Sequence, residues 1–204
     1  MSSQIFAGDL SGSVTIQCPA VAGTNVLTLP LSNGLIPGEM IYRLNTGVTG
    51  IQTAAAAQSI LGVGITLNSS TVYQFQGVYL LAKTAGVTSH TVSLLFGGTA
   101  TVNNIAYTIG WNATTSYNVP DTGAYFTAAT QTSAVVITGA RTAASEYGVY
   151  QVFGTVSVNA GGTFIPQYLL SADPGGAYTT QVGSYFKISP LSTAGTNTNI
   201  GGWA

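Results

Sequence analysis

The 204-residue chain is almost without charge. Only 4% of its residues are Asp, Glu, Lys or Arg, against roughly 25% in ordinary soluble domains. Four basic and five acidic residues leave a net charge of −1. Such a chain offers no basic surface for nucleic acid or for an anionic membrane. It also has little charge to keep its copies apart in solution, so we expect other protein to cover its surface.

Cysteine, long apolar runs and a targeting segment are also scarce or missing. Cys18 is the single cysteine, so no disulfide can form within the chain, and we interpret it as a small apolar filler. No apolar run approaches the roughly 18 residues that a membrane-spanning helix needs. The opening MSSQIFAGDL has no basic region followed by an apolar core, as a signal peptide would. We therefore expect a protein that is made in a cytoplasm and has no membrane partner.

The chemistry of catalysis and metal binding is thinly represented. His90 is the single histidine, and without a cysteine or a second histidine beside it a zinc site is not expected. The sequence has no G-x-S-x-G turn, no D-x-D calcium loop and no phosphate-binding glycine loop. We interpret His90 as structural and the protein as a non-enzyme without cofactor or metal. A depolymerase stays an alternative, because two of the five acids would suffice if the fold made them face each other.

What the sequence has in abundance is β-forming residues. From Gly62 onward, runs rich in Val, Ile, Tyr, Phe and Thr recur near the spacing of about 8–12 residues that is typical of β-sandwiches. Turn sequences such as Gly97-Gly98 separate them. This order predicts an all-β sandwich or jelly roll. The segment Thr53–Leu61, TAAAAQSIL, is the one good helix candidate, with Thr53 as its N-cap and Gly62 just past its end.

Residues 1–50 are interpreted as an N-terminal docking arm with a connector, and residues 51–204 as the main domain. In the arm, two short β-type runs, 12–17 and 26–31, flank a turn and predict a hairpin. A hairpin of this size is not stable alone, so we expect it to dock on something larger. The candidate docking residues are the apolar positions of the arm: Ile5, Phe6, Val14, Ile16, Val26, Leu27 and Leu29.

The stretch 147–191 holds three β-type runs that are apolar on both faces: 147–158, 163–170 and 184–191. In the first run, Val152 and Val156 share one face while Phe153 lies on the other. A strand of this kind must be covered on both faces. One cover is the core of the domain itself, and a subunit partner is the simplest candidate for the other.

Several phrases, in a fixed order, carry a resemblance to a known family. They are AQSILGVGITL (57–67), TVYQFQG (71–77), TSHTVSL (88–94), FGGTATV (96–102), VNAGGTFIPQ (158–167), GSYFKI (183–188) and the final GGWA. With them the chain resembles a family of bacteriophage virion structural proteins of the tail-fibre, head-fibre and decoration type. The opening GSVTIQCPAVAGT (12–24) is similar to the small β segment that often precedes this domain in phage fibres.

The resemblance implies a jelly-roll domain of the TNF/C1q-like type that associates as a homotrimer at the virion surface. Five aromatic residues would then be divided between the core of each subunit and the shared axis: Phe153, Phe164, Tyr168, Tyr185 and Phe186. Only about fifty residues precede the helix candidate, which favours a capsid decoration or cement protein over a long fibre. Its partner would be the major capsid protein or another virion component.

The alternative is the tip of a tail or head fibre that binds a host surface glycan. Tyr107, Trp111 and Tyr117 lie close together in the sequence and would supply the aromatic platform for a sugar. Aromatic residues at this spacing are also typical of a core or a subunit contact, and both interpretations stay open.

Overall fold

The computed structural model describes residues 3–7, 13–17, 38–50, 56–114, 125–195 and 197. The chain divides into two compact units, Met1–Gly34 and Leu35–Ala204. In the first unit, β1 (Ser3–Ala7) pairs antiparallel with β2 (Ser13–Gln17), with Phe6 opposite Val14. This is not the hairpin expected between 12–17 and 26–31, since the described partner of 13–17 is 3–7 and residues 26–31 lie outside the described residues. Four of the candidate docking residues lie on β1 and β2, whereas Val26, Leu27 and Leu29 lie outside the described residues.

The second unit is an all-β sandwich of two antiparallel sheets. In chain order its strands are β3 (Met40–Arg43), β4 (Val48–Thr49), β5 (Gln58–Ser59), β6 (Ile65–Leu67), β7 (Thr71–Lys83), β8 (Val92–Gly97), β9 (Thr101–Thr114), β10 (Tyr125–Ala129), β11 (Val135–Val136), β12 (Glu146–Ala160), β13 (Gly162–Leu170), β14 (Thr179–Thr180) and β15 (Tyr185–Thr193). No helix long and apolar enough to cross a membrane occurs in the described part of the chain.

The main sheet has the order β10-β9-β12-β7, and β7 then pairs with two strands. The first part of β7 pairs with β15, which pairs with β3, and its end pairs with β14, which pairs with β4. The second sheet has the order β11-β8-β13, with β5 and β6 both paired to β13. Because β3 and β4 belong to the main sheet, the second unit begins at Leu35, ahead of the boundary expected after residue 50.

The helix expected at Thr53–Leu61 is wrong for the part that is described. Gln58 and Ser59 form strand β5, and Ile60 N–H donates to the carbonyl of Pro166 at 3.0 Å. Burial of Ile60 and Leu61 in the core holds the segment extended, so tertiary pairing overrides the helix preference of the alanines. Gly62 has a φ of +73°, as expected for a glycine that ends an element, but it follows a strand. Residues 51–55 lie outside the described residues.

The core lies between the sheets and is built around aromatic rings. Alternate residues of β7 and β12 point inward, including Tyr73, Phe75 and Val152. The ring of Phe96, from the second sheet, stacks on Phe164 at 4.8 Å and meets Phe75 edge-on at 5.2 Å. Each fully buried apolar side chain of this size contributes about 1.5–3 kcal/mol to the free energy of unfolding.

Three of the five candidate trimer-axis residues belong to this core. Phe164, Tyr168 and Phe186 are buried within the single chain. They line β13 and β15 on the side that faces the opposite sheet, so their rings are already covered and cannot reach a partner subunit. Only Phe153 and Tyr185 remain on an accessible surface.

Two buried tyrosines on β7 provide a matched test of hydrogen bonding in this core. Tyr79 is fully buried, and its hydroxyl has no hydrogen-bond partner among the described residues, whereas the hydroxyl of Tyr73 accepts the N–H of Asn68 at 2.9 Å. Burial raises the pKa of Tyr79 well above its ordinary value. We expect Tyr79→Phe to raise the free energy of unfolding by about 1 kcal/mol, because an unsatisfied buried hydroxyl is costly.

The control is Tyr73→Phe, which removes a satisfied hydroxyl from the same strand and should lower the free energy of unfolding by about 1 kcal/mol. Urea unfolding of both variants measures the difference. Equal losses in the two variants would contradict the assignment of Tyr79 as unsatisfied.

Candidate interaction face and a buried charge cluster

The outward side of the main sheet carries no charge on its three longest strands. Alternation along β7, β9 and β12 sends every second side chain away from the core. We call the outward positions at the centre of these strands the open face: Gln74, Gln76, Val78, Ala106, Thr108, Gln151, Phe153 and Thr155. The sequence contains this signal, since no charged residue stands between Thr71 and Ala82 or between Thr101 and Thr114.

Phe153 stands at the centre of the open face. It lies opposite Gln76 on β7 and Thr108 on β9, and 47% of its surface is exposed. A first hollow, of about 400 Å³, lies on the β7 side and is lined by Gln74, Gln76, Phe153, Thr155, Ser189 and the Glu39 and Lys187 side chains, among others. A second hollow, of about 490 Å³, lies on the β9 side, and Ala106, Thr108, Ala128 and Phe153 are among its lining residues.

The charged residues near this face lie at its edge. Lys187 Nζ lies 3.3 Å from Glu39 Oε2, and both side chains are accessible. Tyr185 is half-buried beside them, and its hydroxyl accepts a hydrogen bond from Gln76 Nε2 at 3.1 Å. The open face therefore combines a neutral centre and an exposed aromatic ring with a polar rim, which is the pattern of a protein-interaction surface.

A smaller apolar groove was not apparent from the sequence. Ile41, Tyr42 and Val63 are exposed at the sandwich edge, where β3 approaches the segment before β6, and they line a hollow of about 210 Å³. None of the described residues that line it is charged. The groove adds a second uncharged patch to the surface of the unit.

The candidate glycan platform is not assembled on the surface. Tyr107 is buried, its hydroxyl donates to the Gln131 carbonyl at 3.2 Å, and burial raises its pKa to about 12. Trp111 lies on the same side of β9, packs partly buried against the core and stacks over Tyr150 with ring centres 6.5 Å apart. Tyr117 lies outside the described residues. Two of the three rings therefore serve the core.

Three of the nine charged residues converge on one buried site at the end of the sandwich, which we call the charge cluster. Glu146 begins β12 directly opposite Lys83, which ends β7. Lys83 Nζ lies 3.1 Å from Glu146 Oε1 as an ion pair without hydrogen-bond geometry, and the two side chains are 0% and 1% exposed. Arg141 Nε donates to Glu146 Oε2 at 2.5 Å, and Tyr178 Oη donates to the same oxygen at 2.7 Å.

Backbone carbonyls complete the environment of Lys83. Its ammonium group donates to Gly86 O at 2.8 Å and to Ala143 O. Burial alone would raise the pKa of Glu146, but the hydrogen bonds from Tyr178 and Arg141 and the charges of Arg141 and Lys83 outweigh it, so this pKa lies below its ordinary value. Burial and the hydrogen bond to Glu146 raise the pKa of Tyr178.

The single histidine lies in the same cluster. His90 is buried just before β8, and its Nδ1 donates to the Thr88 carbonyl at 2.8 Å. Its Nε2 lies 2.8 Å from Tyr178 Oη and 3.8 Å from Glu146 Oε2. Backbone hydrogen bonds between His90 and Arg141 tie the two loops together. With Glu146, Lys83 and His90 buried against one another, the cluster fastens together the loops that carry its members.

Sequence reasoning missed the charge cluster because its members are far apart in the chain. The register that sets Lys83 opposite Glu146 is a property of the folded sheet. Among the described residues, no group of three or more His, Cys, Asp or Glu side chains is arranged to hold a metal ion.

Comparison with known proteins gives no family for this chain. No protein-family model, no curated protein and no solved structure matches it significantly.

Proposed function

We propose that this protein is a non-enzymatic structural protein of a bacteriophage virion, a homotrimer that decorates and stabilises the capsid surface. The sequence resemblance to phage virion proteins supports this class. The observation that carries the proposal is the open face, which presents a neutral surface and an exposed Phe153 where an ordinary soluble monomer would present charge.

The fold that the proposal requires is a jelly roll of the TNF/C1q-like type. Strand order supports it, because the main sheet contains β3-β15-β7-β12 and the second sheet contains β6-β13-β8-β11. The chain passes between the sheets from β6 to β7, from β7 to β8, from β12 to β13 and from β13 to β15. This interleaving of eight strands supports a jelly roll, with the hairpin β9–β10 added beside β12.

In this proposal the two units have different tasks. The sandwich forms the trimer through the open face, and the N-terminal hairpin docks on the major capsid protein or another virion component. A trimer bridging neighbouring capsid subunits would oppose internal pressure by burying neutral area, with few charges to desolvate. Neither nucleic acid nor membrane is a partner, since the chain has only four basic residues.

Two measurements test the proposal. Light scattering of the full chain should give the mass of three 20.7-kDa chains. Gold-labelled antibody against the purified protein should decorate the heads of phage particles whose genome encodes this chain. A monomer at micromolar concentration, or particles without any label, would overturn the proposal.

The fibre-tip alternative makes a different prediction in the same image, because the label would lie at the ends of fibres. A glycan array would then give specific hits. The inward packing of Tyr107 and Trp111 favours decoration, since it leaves neither ring as an open sugar platform.

A further inference from the structure

We infer that the Phe153 ring of one copy inserts into the second hollow of the next copy. This inference rests on the proposed trimer and names the contact that holds it together. Phe153 protrudes from the centre of the open face, and the second hollow lies directly beside it on the same face. Each copy therefore offers one protruding ring and one receiving hollow.

The chemistry of the two hollows selects the second one. Its described lining residues are uncharged, and small side chains such as Ala106, Ala128 and Ala129 leave room for a ring. The first hollow has the Glu39 and Lys187 ion pair on its rim. An apolar ring placed there would take water from a charged pair without replacing its hydrogen bonds, which is unfavourable.

The position of ring and hollow also fits a closed assembly. The ring and the hollow are two different patches, so their contact is head-to-tail, and repeating that contact by rotation gives a cyclic oligomer. Because both features lie on one sheet face, the contacts of all copies meet around a common axis. A homotrimer is the cyclic assembly that the proposed function requires.

The strands beneath the second hollow are closely packed on their core side. Gly154 forms part of the wall of this hollow, and the space where a side chain would begin is filled by neighbours, since a Cβ there would lie 2.5 Å from Tyr107 Cβ and 2.7 Å from Phe75 Cζ. β9 and β12 therefore lie in close contact at this point. A hollow fixed by packed strands loses little freedom when it is filled, which favours tight association.

Two matched variants test which hollow is used. Ala106 on β9 and Gln74 on β7 flank the same residue, Thr155, from opposite sides, and both are exposed. Ala106→Phe fills the second hollow and should reduce the light-scattering mass from three chains to one. Gln74→Phe fills the first hollow and should leave the trimer intact. Phe153→Ala, which shortens an exposed side chain without endangering the fold, should also give a monomer.

Every other outcome overturns the inference. Trimers in Ala106→Phe or in Phe153→Ala would show that the ring and hollow do not meet, and a monomeric Gln74→Phe would show that the first hollow is also part of the contact. Circular dichroism of each variant checks that the sandwich is folded. If the unaltered chain is itself a monomer, the proposed function fails as well. If the unaltered chain is a trimer but the variants do not behave as expected, the proposed function stands and only the Phe153 contact is overturned.

Discussion

Replacing Glu146 with Gln is expected to lower the free energy of unfolding by about 3–5 kcal/mol. The amide keeps the size of the side chain but removes the negative charge from the charge cluster. Lys83 is completely buried, so its ammonium group would lose its counter-charge without gaining water. If the amide oxygen takes the place of Oε2, where Arg141 and Tyr178 donate, the amide NH2 group takes the place of Oε1 and faces the Lys83 ammonium group. Urea unfolding at a fixed protein concentration measures the loss.

The matched control is Glu39→Gln, which makes the same chemical change in an exposed pair. Glu39 is 52% exposed and lies 3.3 Å from Lys187. Exposed pairs of this kind contribute about 0–1 kcal/mol. Similar losses at positions 39 and 146 would mean that the charge cluster stabilises the fold no more than an ordinary surface pair does.

The stability difference between the unaltered protein and Glu146→Gln should depend on pH. The pKa of Glu146 is lowered in the folded state, so folding favours its carboxylate form. Its contribution to stability is therefore complete above the ordinary glutamate pKa of about 4.3 and is lost as the pH falls through the folded pKa. The stability difference between the unaltered protein and Glu146→Gln should shrink below about pH 4. A difference that grows in acid would contradict the sign of the pKa shift.

Replacing Gly86 with Ala is expected to lower the free energy of unfolding by several kcal/mol. Gly86 has a φ of +84°, and a side chain held at such an angle is strained by about 1–3 kcal/mol. A Cβ would also overlap the Pro174 carbonyl oxygen and lie 2.6 Å from the carbonyl carbon of Gly175. These are backbone atoms, so the turn 172–176 would have to move. Gly86 O, which accepts from Lys83, would move with it.

Gly139→Ala is the control for this change. Gly139 has no positive φ, and a Cβ there would meet nothing within 4 Å. We expect the free energy of unfolding to stay the same or to rise by up to about 1 kcal/mol, since alanine restricts the unfolded chain. Thermal unfolding of the two variants compares them directly. A Gly86→Ala protein as stable as Gly139→Ala would mean that the contact between the 84–88 and 172–176 loops is loose.

The strands of the second half were predictable because their signals are local. β-type runs expected at 147–158, 163–170 and 184–191 correspond to β12, β13 and β15 within a few residues. The apolar residues on both faces of β12 were also a local signal, since alternation along the strand sends Val152 inward and Phe153 outward. The helix predicted for the alanine-rich 53–61 is wrong in the described part, because Gln58 and Ser59 pair with β13 instead.

The remaining features depend on which strands become neighbours. Phe164, Tyr168 and Phe186 were candidates for a subunit axis because a sequence does not say which apolar face meets the opposite sheet. The charge cluster joins residues from position 83 to position 178 through the antiparallel register of β7 and β12. The second hollow beside Phe153 depends on the small residue Ala106 of β9, which lies far from Phe153 in the chain.

The neutrality of the open face has an environmental consequence. Electrostatic attraction between proteins extends about 30 Å at 0.01 M salt but only about 3 Å at 1 M. A contact through uncharged side chains has almost nothing for salt to screen, and the buried charges of the cluster are shielded from dissolved ions. An assembly joined through this face would therefore keep its cohesion over that whole range of salt concentration.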